Sequence, residues 1–258
     1  MKTSYRTIRV ARSDEGFATL TLDRPEKLNT LSNELRREMV AAIASLESEP
    51  NVRVLILTGS GRAFSAGMDL DEWAVTTELA AGAYDNDPVK ALRSFSGPVI
   101  GAINGLAVTG GFEMALACDL LVASTNARFA DTHAHVGLLP GWGGSVRMAR
   151  LIGLNRAKEL ALTGRFLAAD EALSWGLVNH LVAPDELIPK AEELARDMAA
   201  AVPGTLNDYK RLLDDESNLA LDEALALERR TSLTNNSNVS GELIAQRASA
   251  MVARRKKR

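Results

Sequence analysis

The chain of 258 residues is 46% hydrophobic and 24% charged, the composition of an ordinary globular protein with one large or two modest domains. Its formal net charge of −3 gives no general attraction for nucleic acid, and no apolar run approaches the ~20 residues of a membrane helix, so we expect neither partner. Cys118 is the only cysteine and no apolar signal segment follows residues 1–6, so we expect no internal disulfide and a cytoplasmic location.

The first sixty residues predict strands and a helix. Apolar side chains and turn residues indicate strands over residues 6–12 and 17–22, joined by a tight turn. Ser32 is expected to cap a helix that runs to Leu46, because apolar side chains recur there at helical spacing. The apolar run of residues 54–57 is typical of a buried strand, which we expect over residues 52–58.

The middle of the chain alternates between helices and strands. Residues 71–94 are polar and rich in alanine, and we expect a helix with a mobile break at Gly82 and Pro88, suited to a lid over a pocket. A strand, a helix and a strand are predicted next, over residues 99–103, 110–117 and 119–123. This alternation predicts a mostly parallel α/β core.

Beyond residue 144 the sequence is mainly helical. Helices are predicted over residues 145–151, 156–162, 186–201, 207–213, 221–233 and 241–252, with a short helix at 170–173 and a short strand at 177–182. Because Val202-Pro203-Gly204 interrupts this pattern, we expect a core of residues 1–200 and a helical region of residues 201–258. An apolar stripe in that region is expected to pack on the core or on a neighbouring subunit, and comprises Leu221, Ala224, Leu225 and Leu227.

Two glycine-containing segments each follow an apolar, strand-like run. They are Ala-Phe-Ser-Ala-Gly-Met-Asp-Leu at residues 63–70 and Asn-Gly-Leu-Ala-Val-Thr-Gly-Gly-Phe-Glu-Met at residues 104–114. A strand followed by a glycine turn can expose backbone N–H groups to a cleft, and two such groups can stabilise a developing oxyanion. Gly110 also begins a predicted helix, where free N–H groups and the helix dipole favour negative charge.

The order and spacing of these and further motifs resemble the crotonase superfamily, the enoyl-CoA hydratase/isomerase family, over nearly the whole chain. The further motifs are Asp23-Arg24-Pro25 with Asn29, Pro98-Val99-Ile100, Cys118-Asp119, Gly137-Leu138-Leu139-Pro140-Gly141, Leu162-Thr163-Gly164, and Ala172-Leu173 leading to Gly176-Leu177-Val178. The resemblance implies an α/β fold with a crotonase-like ββα spiral core, a C-terminal helical region used for trimerisation, and acyl-CoA thioester substrates, as in fatty acid metabolism. Many members are dimers of trimers, so a homotrimer or dimer of trimers is expected. No cofactor is expected beyond the coenzyme A of the substrate, and no metal, because the histidines have no metal-ligand spacing.

The resemblance assigns roles to three residues of the glycine segments. The backbone N–H groups of Met68 and Gly110 would form an oxyanion hole for the thioester oxygen. Glu113, one helical turn after Gly110, would position or deprotonate the attacking water. Spacing alone also allows a structural interpretation, in which Gly110 caps the helix and Glu113 closes a capping box.

The second catalytic glutamate of the family corresponds to His133, counting back from Gly137 and Pro140. This departure puts the ordinary two-glutamate mechanism in doubt. A histidine transfers protons near neutral pH, so His133 is a candidate catalytic residue, or it lines the pocket without transferring protons. Asp131 and His135 are neighbours that could substitute for it or tune it, and a surface or packing role is the simpler interpretation of His135.

The resemblance also implies a set of substrate-binding residues. Arg24 and Lys27 lie where relatives run beside the nucleotide, although most exposed basic residues are only solvated. Trp142 either shortens the acyl pocket or covers the core, and Asp69 either orients the Met68 loop or caps the next helix. The basic C-terminal residues 254–258 are either a solvated end or a contact for coenzyme A phosphates. The whole set is Arg24, Lys27, Leu28, Ala66, Gly67, Asp69, Leu70, Gly111 and Trp142.

The sequence therefore predicts an acyl-CoA enzyme, with hydration of an enoyl-CoA as the leading reaction. Polarising a thioester carbonyl also makes the α-proton acidic, so an isomerase or a C–C bond hydrolase on the same scaffold is an alternative. A non-catalytic acyl-CoA-binding protein is a third hypothesis. The histidine in place of the second glutamate favours it, and the retained Glu113 argues against it.

Overall fold

The computed structural model describes residues 5–74, 86–237 and 239–255. Strands in these residues are β1 (Ile8–Arg12), β2 (Phe17–Leu22), β3 (Val54–Gly59), β4 (Ala63–Ser65), β5 (Val99–Ile103), β6 (Leu106–Val108), β7 (Leu120–Ser124), β8 (Arg128–Ala130), β9 (Leu167–Ala168) and β10 (His180–Val182). Among them, β1-β2-β3-β5-β7-β10 pair in that order as a six-stranded sheet. Only the β1–β2 pair is antiparallel in this sheet, which confirms the predicted, mostly parallel α/β core.

A second sheet, which the sequence did not predict, has the order β4-β6-β8-β9 within the described residues. Its strands are two or three residues long, too short for the alternation of apolar and polar side chains that identifies a strand. A strand does precede each glycine turn, but it is a short strand of this second sheet, β4 or β6, which lies between the longer apolar run and the turn. Since β4, β6 and β8 are parallel, the loops that follow Ser65, Val108 and Ala130 leave the same edge of this sheet.

Helices follow the strands of the N-terminal unit, Met1–Ala201. They are α1 (Asn33–Glu47), α2 (Leu70–Ala74), α3 (Pro88–Ser94), α4 (Gly110–Ala117), α5 (Gly144–Ile152), α6 (Leu154–Thr163), α7 (Ala169–Ser174) and α8 (Leu187–Ala199), with short 3₁₀ helices at Pro25–Lys27, His133–Val136 and Pro184–Glu186. The predicted cap of α1 is confirmed, because the Ser32 hydroxyl accepts a hydrogen bond from the backbone N–H of Leu35.

The single broken helix predicted over residues 71–94 is wrong in its described parts. Pro88 does not interrupt a helix but begins α3, where a proline is compatible with helical geometry. The Asp87 carboxylate caps that helix by accepting the backbone N–H of Lys90 at 2.9 Å. The predicted break at Gly82, and with it the lid, lies outside the described residues.

The six-stranded sheet is covered on both faces, as a mostly parallel sheet requires. Alternate residues of β3 divide between two apolar clusters: Leu55 and Leu57 belong to the cluster that includes α1 and α4, whereas Val54 and Ile56 pack against α8. These side chains are fully buried, so the sheet is a rigid base for the loops at the edge of the second sheet.

The second unit, Val202–Arg258, contains helices α9 (Pro203–Glu216), α10 (Leu221–Asn236) and α11 (Gly241–Arg255), in agreement with the predicted helical pattern. In α10 the predicted apolar stripe is not buried within the single chain, because Leu221 is 74% exposed and Leu225 is 53% exposed. No helix in the described residues is both long enough and apolar enough to cross a membrane.

Candidate active site

A cavity of about 290 Å³ lies where the loops after β4, β6 and β8 meet. The lining includes seven of the residues that the sequence singled out: Ala66, Met68, Leu70, Gly110, Glu113, His133 and Trp142. The wall is mainly apolar, and Glu113 and His133 are its ionisable groups among the described residues. A cavity of this kind suits an apolar ligand that carries one polar group.

Glu113 is held at the base of the cavity by backbone groups of the loop before α5. Its Oε1 atom accepts N–H hydrogen bonds from Trp142 at 2.9 Å and from Gly144 at 3.0 Å. The side chain is 4% exposed. The capping-box interpretation is wrong, because Thr109, not Gly110, occupies the N-cap position of α4, and the Glu113 carboxylate binds these distant amides instead. This arrangement fixes one oxygen and directs the other, Oε2, towards His133.

His133 begins the 3₁₀ helix that follows β8, and its ring lies between two carboxylates. Its Nδ1 atom is 2.6 Å from Asp131 Oδ1, and its Nε2 atom is 3.5 Å from Glu113 Oε2. Burial acts to lower the pKa of His133, but the hydrogen bond to Asp131 and the nearby Glu113 outweigh it and raise the pKa to about 9. Burial acts in the opposite direction on Asp131, whose pKa is nevertheless lowered by hydrogen bonds from the ring and backbone of His133.

The backbone amides of Met68 and Gly110 belong to two loops in close contact. A Cβ atom placed on Gly67 would lie 3.5 Å from the Gly110 nitrogen, so the two loops are adjacent. In the described part of the chain, neither the Met68 nor the Gly110 N–H donates to a protein acceptor. Both residues line the cavity. Both amides are therefore available to bind an anion, as far as the described residues show.

The loop that carries Met68 is bound to the segment between β2 and α1. Ala66 N–H donates to Leu28 O at 3.0 Å, and Leu31 N–H donates to Gly67 O at 2.8 Å. The predicted substrate-binding residue Leu28 thus acts here through its backbone carbonyl.

Asp69 both orients this loop and caps a helix, so its two interpretations are compatible. Its carboxylate accepts hydrogen bonds from Arg24 Nη1 at 2.9 Å and Thr30 Oγ1 at 3.1 Å, and also from the backbone N–H of Glu72 in α2. Burial acts against ionisation, yet these hydrogen bonds lower the pKa of Asp69. Arg24, 19% exposed, is bound within the protein. Lys27 is half-exposed and pairs with Asp71 at 2.8 Å.

Two of the predicted substrate-binding glycines serve close backbone approach and do not line the cavity. Gly67 has φ +92°, and a Cβ atom there would lie 2.9 Å from Val108 O. A Cβ atom on Gly111 would lie 2.2 Å from Ser65 O, so only glycine lets the start of α4 pack against β4. Trp142 is 7% exposed and belongs to the hydrophobic core, so it covers the core. It also lines the cavity, and its effect on the length of the acyl pocket stays a prediction.

Sequence reasoning missed Thr109, which joins β6 to α4. This β-branched residue has φ 53°, a conformation that costs about 1–3 kcal/mol. Its N–H donates to Ala130 O at 2.8 Å and its hydroxyl is 2.6 Å from the Thr132 hydroxyl, so contacts with β8 and the following loop stabilise it. The next peptide group carries the Gly110 N–H, whose direction therefore depends on Thr109. Other lining residues that were missed are Trp73, Thr132, Val136, Leu138, Leu139 and Gly141.

Two further expectations concern residues outside the cavity. His135 is exposed, as the simpler interpretation had it, and it does not line the cavity. The side chains of the basic residues 254–258 lie outside the described part of the chain. No group of three or more histidine, cysteine or acidic side chains suited to a metal ion is found among the described residues.

Comparisons with known proteins agree on one family. The model of the enoyl-CoA hydratase/isomerase family matches residues 12–243. The chain is 39% identical to the probable peroxisomal enoyl-CoA hydratase 1 of Arabidopsis thaliana, over 93% of this chain and 90% of that protein. It is 37% identical to the short-chain-enoyl-CoA hydratase of Clostridium acetobutylicum, over 82% of each. The solved structure of an enoyl-CoA hydratase from Bacillus anthracis is similar, with a TM-score of 0.89, 33% identity, and coverage of 95% of this chain and 96% of that one.

Proposed function

The chain belongs to the enoyl-CoA hydratase/isomerase family and has its fold, and from this premise we propose that it adds water across the 2,3 double bond of an enoyl-CoA thioester. One observation carries the mechanism: a fixed carboxylate, a histidine and two loop amides that donate to no acceptor within the described residues share one apolar cavity. The comparisons favour an enzyme of hydratase type over the non-catalytic acyl-CoA carrier.

The N–H groups of Met68 and Gly110 form the oxyanion hole of the proposed mechanism. They bind the thioester oxygen and withdraw electron density from the conjugated double bond, so Cβ becomes electrophilic. The enolate that forms after attack carries its negative charge on that oxygen. Removing one donor from such a site typically lowers the rate by about 10²–10³-fold.

In the proposed mechanism, Glu113 accepts a proton from water and His133 donates a proton to Cα. Because Glu113 Oε1 is already bound by two backbone amides, Oε2 is the atom available to take a proton from the water. The water oxygen bonds to Cβ, and the pair of π-electrons moves to the thioester oxygen through Cα. His133 Nε2–H then donates a proton to Cα, which gives the 3-hydroxyacyl-CoA.

The nucleotide end of the substrate is proposed to run beside Lys27. This side chain is half-exposed, and it pairs with Asp71, which follows the loop that carries Met68. Arg24 contributes to binding through Asp69 rather than by direct contact with phosphate, because its guanidinium is held inside the protein. Coenzyme A enters and leaves as part of the substrate, and no separate cofactor is needed for this reaction.

A homotrimer or a dimer of trimers is the proposed assembly. Its support is the apolar surface of the C-terminal helices, where large side chains are exposed in the single chain: Tyr209, Leu213, Leu221, Leu225, Leu233 and Ile244. Light scattering after gel filtration should give three or six times 27.7 kDa, and a monomer would refute the assembly. The cytoplasmic location remains a prediction from the lone Cys118, to be checked by cell fractionation.

The experiment that tests the reaction is incubation with a series of trans-2-enoyl-CoA esters in deuterated water, read by mass spectrometry. Hydration adds one molecule of D₂O to the substrate, with one carbon-bound deuterium at Cα. Isomerisation would add no water, and cleavage would give two products with shorter carbon skeletons. Binding without turnover and without deuterium at Cα would revive the carrier hypothesis and refute the proposed reaction.

A further inference from the structure

We propose that Asp131 is a positioning residue that keeps His133 protonated and directs its Nε2–H towards Glu113 and the cavity. The inference rests on the proposed function, in which His133 is the acid and Glu113 the base. It goes further by assigning the control of the acid to a residue outside the lining of the cavity.

The first support is geometric. Asp131 Oδ1 accepts two hydrogen bonds from the same residue, one from His133 Nδ1 at 2.6 Å and one from the His133 backbone N–H at 3.2 Å. These two contacts fix both the ring and the backbone of His133. With Nδ1 engaged, the other ring nitrogen, Nε2, points to Glu113 Oε2 at 3.5 Å.

The second support is the balance of charge around the ring. Among the described residues, the charged groups that face His133 are Asp131 from its own segment and Glu113 from α4. Asp131 and Glu113 are 5% and 4% exposed, and His133 is 8% exposed. Two buried carboxylates on either side of one imidazole ring favour a cation between them, because an unpaired buried charge is strongly unfavourable. Protonated His133 supplies that cation, consistent with a pKa raised to about 9.

The third support is the rigid attachment of this segment to the loop that carries Gly110. The hydroxyls of Thr109 and Thr132 are 2.6 Å apart, and Thr132 N–H donates to Thr109 Oγ1 at 3.3 Å. Asp131 and His133 flank Thr132, so their positions are fixed relative to the amide of Gly110. His133 is therefore held at a fixed position relative to the Gly110 N–H, which binds the thioester oxygen in the proposed mechanism.

The arrangement has a consequence for turnover. After hydration, Glu113 holds the proton taken from water and His133 has lost its own. Return of the proton from Glu113 Oε2 to His133 Nε2 needs only a small movement that shortens their 3.5 Å separation. Asp131 drives this return, because it stabilises the imidazolium relative to the neutral ring. The resting state, carboxylate beside imidazolium, is thereby restored.

The direct test is nitrogen NMR of the full-length protein labelled with ¹⁵N-histidine. The chain has only three histidines, so variants at His135 and His180 assign the remaining pair of ring signals to His133. In the wild type, both His133 nitrogens should be protonated at pH 7.5, with a midpoint near pH 9. In Asp131→Asn, an amide oxygen still accepts from Nδ1 but the charge is gone, so the midpoint should fall by at least one pH unit, a shift of the order that one nearby carboxylate produces.

The kinetic test compares the pH dependence of kcat for hydration. Asp131→Asn should lose about 2-fold in kcat at pH 8 if the midpoint falls by one pH unit and about 10-fold if it falls by two, and much of this loss should disappear near pH 6, where His133 is protonated without help. Asp131→Glu, which keeps the charge, should recover part of the activity at pH 8. His135→Gln, an exposed neighbour outside the cavity, is the matched control and should follow the wild type throughout.

Three results would overturn the proposal: a wild-type His133 midpoint below pH 7, a midpoint that is unchanged in Asp131→Asn, or a loss of kcat that is equal at every pH. If Asp131→Asn does not fold, the wild-type titration alone decides. The outcomes for the two proposals are separable. An inactive wild type with His133 still titrating near pH 9 refutes hydration and not the effect of Asp131, whereas an active enzyme with a neutral His133 refutes only the role of Asp131.

Discussion

Glu113→Gln is expected to remove most of the hydratase activity and leave the structure intact. The glutamine oxygen can take the place of Oε1 and still accept the N–H groups of Trp142 and Gly144. The amide nitrogen then occupies the place of Oε2, 3.5 Å from His133, where it donates hydrogen bonds and cannot accept a proton from water. The substitution therefore removes the base with little change of packing.

The expected size of the effect follows from this geometry. A correctly placed acid–base group contributes about 10²–10⁴-fold to a rate, so kcat should fall by at least ~10²-fold, or about 2.7 kcal/mol in the activation barrier. KM should change by only a few-fold, because the amides of Met68 and Gly110 still bind the thioester oxygen. The assay is the loss of ultraviolet absorbance as the conjugated double bond of trans-2-butenoyl-CoA is hydrated.

Glu193→Gln on the exposed surface of α8 is the matched control for this substitution, and it should retain wild-type kcat. The melting temperature of Glu113→Gln should stay within a few degrees of the wild type, which separates loss of chemistry from loss of fold. A kcat within tenfold of the wild type in the folded variant would remove Glu113 from the mechanism.

Three other substitutions test the parts of the site in turn. Gly67→Ala places a Cβ atom 2.9 Å from Val108 O at φ +92°, so it should cost about 1–3 kcal/mol of stability in urea and at least ~10-fold in kcat/KM; normal values for both would show that this loop tolerates a side chain. Trp142→Leu should raise the ratio of kcat/KM for eight-carbon over four-carbon enoyl-CoA by at least ~10-fold, and an unchanged ratio would mean that Trp142 only covers the core. The pKa of His133 is raised from 6.5 to about 9, so the stability that its protonation contributes is complete below about pH 6.5 and is lost as the pH rises through 9. Over that range, the free energy of unfolding of the wild type should fall by roughly 3 kcal/mol more than that of His133→Asn. Parallel pH curves for the two proteins would contradict this.

Much of the large sheet could be predicted, because apolar runs such as residues 54–57 and 99–103 are flanked by polar turns. Residues 99–103 and 17–22 were assigned without error at either end. The first strand is buried along its whole length, and the second alternates apolar side chains with half-buried threonines, so each carries a recognisable strand pattern. The start of α1 at Ser32 could be predicted for the same kind of local reason, a side chain that caps its own helix.

The second sheet could not be predicted, because three residues such as Arg128–Ala130 carry no usable periodicity. Its existence is what brings the loops after β4, β6 and β8 to one place, so the detailed contacts of the site were equally out of reach. Local spacing suggested a capping box for Glu113, whereas its real partners, the amides of Trp142 and Gly144, are 29 and 31 residues further along the chain.

For His133, the position of the residue could be predicted from the sequence but its protonation state could not. The resemblance to the family identified its position, and its departure from glutamate was visible in the sequence. Its protonation state was not, because that depends on the distance of Nδ1 from Asp131 and on the approach of Glu113 from a different helix. A pKa depends on three-dimensional neighbours, and residue spacing in the chain gives only some of them.

A crystal structure with bound butanoyl-CoA, a saturated analogue that cannot be hydrated, would show whether the amides of Met68 and Gly110 hold one thioester oxygen beside Glu113. We expect the thioester oxygen to lie about 2.7–3.1 Å from both backbone nitrogens, with Cβ of the acyl chain facing Glu113 Oε2. An oxygen more than 4 Å from either nitrogen, or an acyl chain outside the cavity, would contradict it.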